Sequence, residues 1–182
     1  MSTIHSFTIA NHEHVVKRVN ELHHRSDEIK SKVGRVLKHL WNTERELGSI
    51  QNLGIFDDLK KRFPNFNEAI EFFKGNAIAL NQLNMPYEAN PILLIGDPGL
   101  GKTFFVRELA KLMGLPFFEI SMNKASASFA LTDGNLQWGD ASVGFIAKSL
   151  SESSIGNPII MIDEVDKAGG DSRFNPMNSL YG

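Results

Sequence analysis

Eight consecutive residues, Gly96-Asp97-Pro98-Gly99-Leu100-Gly101-Lys102-Thr103, have the types and spacing to hold a polyphosphate. They match G-x-x-x-x-G-K-[ST], the phosphate-binding loop. Gly99 and Gly101 allow the backbone to curl so that successive N–H groups point at phosphate oxygens. A helix opening directly after the loop adds its dipole and its N-terminal N–H groups. Lys102 then offers a point charge to the β- and γ-phosphates, and Thr103 a hydroxyl ligand to Mg²⁺. Chance supplies a four-position match in about one chain of this length per hundred, taking average residue usage. A strand before and a helix after make the match more specific still. The motif predicts a nucleotide site with ATP and Mg²⁺ as cofactors, built from Gly96 through Thr103.

A second constellation is acidic. Pro158-Ile159-Ile160-Met161-Ile162 is an apolar run ending in Asp163-Glu164. In a phosphate-loop fold, a strand ending in Asp beside the loop holds Mg²⁺ directly or through water, and Asp163 fits that role together with Thr103. Glu164 is then placed to polarise a water for attack on the γ-phosphate, as base or orienting group. Glu164 and Lys102 are the expected catalytic residues. Small-metabolite kinases, which must exclude water, have little use for such a Glu. Asp166 and Lys167 read as a local ion pair.

The elements that must carry these residues can be placed from pattern. Pro91–Ile95 is a short uncharged apolar run, as in a strand buried on both faces. After the loop, Phe105, Leu109 and Leu112 share one side of a helix running to Met113, with Gly114 as its stop. Upstream, Leu53–Phe63 reads as a helix closed before Pro64, and Asn65 or Asn67 as the cap of another running to about Leu83. Asn84–Asn90 is a connector. From Val15 to Ile50 apolar residues keep a seven-residue period. Val19, Val33, Leu40 and Leu47 form one seam, and Val15, Leu22, Ile29, Val36 and Ile50 the other. The spacing predicts a long helix from an N-cap at Asn11 to a stop at Gly48. It either joins a coiled coil or packs on its own domain.

Composition bounds the rest. The 182 residues are 42% hydrophobic and 22% charged, which excludes wholesale disorder and collagen-like fibres. A net charge of −2 makes no overall electrostatic case for nucleic acid or membrane. Zero Cys excludes disulfides, zinc fingers and thiol catalysis. No apolar run approaches the roughly 18 residues of a membrane span, and Met1–Ala10 lacks the features of a signal peptide. These bounds predict a cytoplasmic protein. Residues 1–90 hold 12 Lys/Arg and 11 Asp/Glu against 7 and 10 in residues 91–182, as when helical surface gives way to a buried sheet.

Taken together, these residues resemble the AAA+ ATPases and, within them, the ATPase module of Lon-type proteases. GDPGLGKT is similar to that family's GPPGVGKT, departing at Asp97. Asn157-Pro158 followed by IIMIDEVDKAG resembles the Lon-type stretch leading into DEIDKMG. Asn175-Pro176 and Ser179-Leu180 resemble the start of the next helix. Trp138-Gly139 stands where the family has an aromatic residue on a loop facing a central pore. The resemblance covers roughly residues 66–182. It implies a phosphate-loop NTPase fold of AAA+ type, with a parallel sheet flanked by helices, ATP hydrolysis and protein remodelling of chaperone type. It also implies a homo-oligomeric ring, a hexamer in this family, acting on polypeptide. Trp138 and Gly139 would then grip the translocating chain, though a loop Trp can equally fold onto its own subdomain.

The expected domains are thus 1–65, helical and carrying the heptad pattern, and 66–182, a partial AAA+ domain with both Walker motifs. The family's sensor strand, arginine finger and lid do not follow Glu164 in this chain, so the resemblance implies a fragment or truncated product that is inactive alone. Arg173 is a candidate replacement finger, though its position reads as surface. His12, Glu13, His14 and His23-His24 lack a third ligand at metal spacing and read as solvated helix surface. Lys60-Lys61-Arg62 and Lys17-Arg18 read as charged faces. The competing functions are a DNA-processing AAA+ factor, disfavoured by Trp138 and the lack of a basic patch, and a nucleotide-binding module without turnover.

Overall fold

Helix α3 (Gly54–Arg62) starts where Asn52 Oδ1 accepts a hydrogen bond from Gly54 N–H at 3.0 Å, and it stops before Pro64, which has no N–H to extend it. The computed structural model describes residues 5–10, 12–21, 27–41, 43–122 and 144–165. By contacts the chain divides into two units. One comprises Met1–Phe7, Glu46–Phe117 and Ser154–Ile159, the other Thr8–Arg45, Phe118–Ser153 and Ile160–Gly182.

In the first unit, Pro64–Phe66 make a 3₁₀ turn that leads into α4 (Asn67–Gln82), and α5 (Lys102–Met113) packs on α3. The spacing of Ile55, Phe56 and Leu59 turns one face of α3 inward, where it meets Ile70 of α4 and Phe105 and Leu109 of α5 in the buried set. Each such side chain contributes about 1.5–3 kcal/mol by leaving water. Phe66 stacks flat on Phe105, centroids 4.3 Å apart, and Phe63 meets Phe105 edge-on at 5.5 Å. Across the surface Lys74 pairs with Asp57 at 2.7 Å, Lys60 with Glu71, and Arg62 with Glu108. The three helices fall where the pattern places them. The expected Asn cap on α4 does not form: no side chain caps the helix, and the 3₁₀ turn supplies its entry instead.

The second unit holds α1 (His12–Glu21), α2 (Asp27–Leu40) and α6 (Phe145–Glu152), with α2 packed on α6. Val33 and Leu40, seven residues apart on one stripe, are buried, as is Val15. Asp27 and Glu28 open α2, and Lys38 lies in its last turn, each charge countering the helix dipole at its end.

The long heptad helix needs correcting. Helix is found in two stretches, with residues 22–26 and Asn11 outside the described set, and it ends at Leu40 rather than Gly48. The chain then enters the short strand β2 (Glu44–Glu46), paired with β1 (Ser6–Thr8). Leu47 N–H donates to His5 O at 2.8 Å, and Ile9 N–H to Thr43 O at 3.5 Å. Arg45 explains the break. Its guanidinium donates to His39 O and Ser151 O, both at 3.3 Å, so it sits on carbonyls at the carboxyl ends of α2 and α6. Leu47 and Ile50 continue the heptad arithmetic without being helical.

β3 (Phe117–Ser121) and β4 (Ile159–Asp163) form the second two-stranded sheet. Ile159 N–H donates to Pro116 O and Met122 N–H to Asp163 O, so the strands run parallel. β4 is half-buried along its length rather than fully buried.

The strand expected at Pro91–Ile95 is a second correction. Among the described residues this stretch belongs to no sheet, and Leu93 and Ile95 are 65% and 88% exposed. A strand buried on both faces needs neighbours on both edges and layers above and below. β4 takes β3 as its described partner.

Candidate functional site

Gly99 and Gly101 have φ of +83° and +81°, a region that L side chains rarely adopt. A Cβ at either position would meet nothing within 4 Å, so backbone conformation rather than crowding calls for glycine here. Gly101 is the residue before α5, and its carbonyl accepts the first helical bond, from Phe105 N–H at 2.8 Å. Lys102 opens the helix. Its Nζ donates to Gly96 O at 2.8 Å and to Asp97 O at 3.0 Å, so the ammonium closes the loop on itself. Residues Gly96 to Leu100 are exposed, and Lys102 and Thr103 are half-buried. Curled backbone followed by a helix N-terminus is the arrangement that presents N–H groups to an anion. The helix ends at Met113 with Gly114 after it, as the spacing predicts.

Beside the loop lies a patch of rings. Phe104, on the first turn of α5, is 55% exposed, and its ring lies 5.5 Å from that of Phe63. The buried face of the same turn is Phe105. One turn thus places an open ring outward and an anchoring ring inward.

The acidic pair is built in the second unit. Glu164 follows β4 with φ +55°, uncommon for a residue with a side chain. Its N–H donates to Asp163 Oδ1 at 2.9 Å, and its Oε2 accepts from Ser121 Oγ at 2.8 Å. All three residues are half-buried. Two carboxylates and a hydroxyl are therefore gathered at the ends of two parallel strands. Sequence reasoning missed Ser121. The available signal was Phe117–Ser121, an apolar stretch that reads as a strand once Ile159–Asp163 is given a parallel neighbour.

The expected residues thus fall into two groups, each ordered within its own unit: Gly96, Asp97, Pro98, Gly99, Leu100, Gly101, Lys102 and Thr103 in the first, Asp163 and Glu164 in the second. Trp138, Gly139, Asp166, Lys167 and Arg173 lie outside the described residues. Among the described residues no group of three His, Asp or Glu side chains could hold a metal ion. His12 packs its ring 5.2 Å from Trp41 instead. No helix among them is long and apolar enough to cross a membrane.

Residues 92–181 match the model of the family described as ATPase family associated with various cellular activities (AAA). The Lon protease of Chlamydia muridarum is 33% identical over 103 residues, 57% of this chain and 13% of that protein. That of Desulfatibacillum aliphaticivorans is 33% identical over 104 residues, and that of Fusobacterium nucleatum 27% over 103. The matched stretches cover 11–13% of the length of such relatives. Residues 92–181 are therefore an AAA-family module, similar to part of the Lon proteases.

Proposed function

We propose that residues Gly96–Thr103 bind the phosphates of ATP with Mg²⁺, and that the complete protein uses ATP hydrolysis to remodel polypeptides as a homo-oligomeric ring. The observation that carries the nucleotide reading is the loop: two glycines at positive φ, then Lys102 held over the loop carbonyls at the start of α5. The donor set fits the ligand. Backbone N–H groups and an ammonium suit phosphate oxygens, and the Thr103 hydroxyl in the first unit and the Asp163 carboxylate in the second are each, taken separately, a hard oxygen donor of the kind Mg²⁺ takes. Bound Mg²⁺ neutralises charge on the phosphates and orients them. Lys102 leaves its two carbonyl partners for phosphate oxygens, which are stronger acceptors. Glu164, whose carboxylate accepts from Ser121 and whose N–H donates to Asp163 Oδ1, is the water-orienting residue. The exposed Phe104 ring is a stacking face for a base.

The remodelling role rests on the likeness to Lon proteases and on the Trp138-Gly139 dipeptide, assigned to the polypeptide grip. The decisive test of the site is a Mg-ATP titration of the chain against Lys102→Ala. The substitution should cost about 2 kcal/mol, roughly thirtyfold in Kd. Equal affinity would remove the assignment.

A further inference from the structure

Asn157 commits its entire carboxamide to backbone, all within the first unit. Its Oδ1 accepts from Gly48 N–H at 2.7 Å, and its Nδ2 donates to Gly48 O at 2.9 Å and to Tyr87 O at 2.8 Å. Tyr87 N–H donates to the same Gly48 carbonyl at 2.8 Å. Asn157 thus pairs with Gly48 through donor and acceptor together, as a neighbouring strand does. Three stretches of chain meet there: the one after β2, the one before β4, and the connector that enters the phosphate loop. Gly48 leaves no space at the junction, since a Cβ on it would lie 2.5 Å from Leu115 Cδ2. The flanks are fixed too, by Gly156 N–H on Glu46 O at 2.9 Å and Ile159 N–H on Pro116 O at 2.8 Å.

The connector beyond Tyr87 gives this junction its weight. Among the described residues no hydrogen bond ties residues 88–95 to any neighbour. The next anchored point is Gly96, whose carbonyl receives Lys102. On its far side the loop is held by α5; on its near side the last backbone tie is Tyr87, gripped through both its N–H and its C=O.

We propose that Asn157 is a positioning residue for the phosphate loop. By holding Tyr87 it fixes where the connector delivers Gly96–Gly101, and so sets nucleotide affinity from outside the loop. The proposal rests on reading residues 96–103 as the nucleotide site. Asn157→Asp keeps the shape and the acceptor for Gly48 N–H, but it turns the donor to Gly48 O and Tyr87 O into a repelling oxygen.

The test is a Mg-ATP titration of the full chain, well below its unfolding temperature, comparing Asn157→Asp, Asn81→Ala and Lys102→Ala. Asn81 Nδ2 donates to Ile50 O at 2.6 Å, a similar side-chain-to-backbone bond in the same unit that does not touch the connector. Asn157→Asp should raise the Kd for ATP about tenfold, while Asn81→Ala lowers the melting temperature with Kd within about twofold. If Asn157→Asp binds ATP like the unaltered chain while Lys102→Ala does not, Asn157 is only structural and the proposal falls. If the unaltered chain binds no better than Lys102→Ala, the nucleotide reading itself falls. Should Asn157→Asp fail to fold, hydrogen exchange of the unaltered chain decides. Coupling is reciprocal, so saturating Mg-ATP must slow exchange at Gly48 and Tyr87 as well as in the loop. Protection confined to residues 96–103 overturns the proposal.

Discussion

Ser121 Oγ donates to Glu164 Oε2 at 2.8 Å, tying the last residue of β3 to the residue that leaves β4. Glu164 sits at φ +55°, a conformation that costs a side-chain-bearing residue on the order of 1 kcal/mol or more. The Ser121 hydroxyl on its carboxylate and Asp163 Oδ1 on its amide help to hold it there. The direction of that carboxylate is therefore imposed by the fold.

Replacing Glu164 by Gln in the complete protein should leave ATP bound and stop turnover. Ser121→Ala removes only the orienting bond and should lower kcat about tenfold with KM for ATP unchanged, Ser121→Thr restoring it. Steady-state kinetics on the three variants provide the check. A parental kcat in Glu164→Gln would dismiss the carboxylate as the water-orienting group.

The backbone of the 96–103 loop was legible because its requirements are local. Glycines at positive φ, a lysine and a helix start are all specified within eight residues. The helices between Gly54 and Met113 were legible for the same reason, since Pro64, Gly114 and the spacing of Phe56, Leu59 and Ile70 are short-range signals. Sheet partners were not. The run at 91–95 has the composition of a buried strand, yet pairing depends on which edges are offered to it, and that is absent from the run itself. Ser121 was invisible because its role exists only once β3 and β4 are in register. The heptad count misled beyond Leu40 because Arg45 needs partners on two helices, one of them more than a hundred residues away.

Acid should loosen the helices of the first unit. The Lys74 ammonium hydrogen-bonded to Asp57 and the Arg62 guanidinium hydrogen-bonded to Glu108 hold both carboxyls below their ordinary values. Groups depressed on folding stabilise above their unfolded values, near pH 4, and lose that contribution as pH falls through the folded ones. Lys74, raised by Asp57, behaves oppositely and releases its share as pH climbs past the ordinary lysine value. Thermal melts at pH 7 and pH 3 should show the acid loss, and added salt should shrink the difference, because these pairs lie at the surface. An Asp57→Asn, Glu108→Gln double variant that keeps the whole acid loss would rule out this origin.

Tyr87 is buried, and among the described residues its hydroxyl has no hydrogen-bond partner. Burial pushes its phenol well above the ordinary range. A phenylalanine fills the same space without the unpaired hydroxyl. Tyr87→Phe should therefore match the parent or stabilise it by up to about 1 kcal/mol. Urea unfolding will measure it, and a loss of that size instead would mean the hydroxyl is satisfied in solution.

The two units interleave along the chain, and Arg45 bonds a carbonyl of α2 and one of α6, the latter 106 residues further along. A ribosome makes α2 early and α6 late, with most of the first unit in between. The apolar stripe of Val33 and Leu40 thus emerges long before the helix that covers it, and closing so long a loop is slow compared with forming the helices themselves. The first unit's long central segment can collapse during synthesis, whereas the second waits for its last third. Between those moments the nascent chain presents a half-finished hydrophobic surface, the state in which chaperones capture clients and neighbouring polysomes cross-associate.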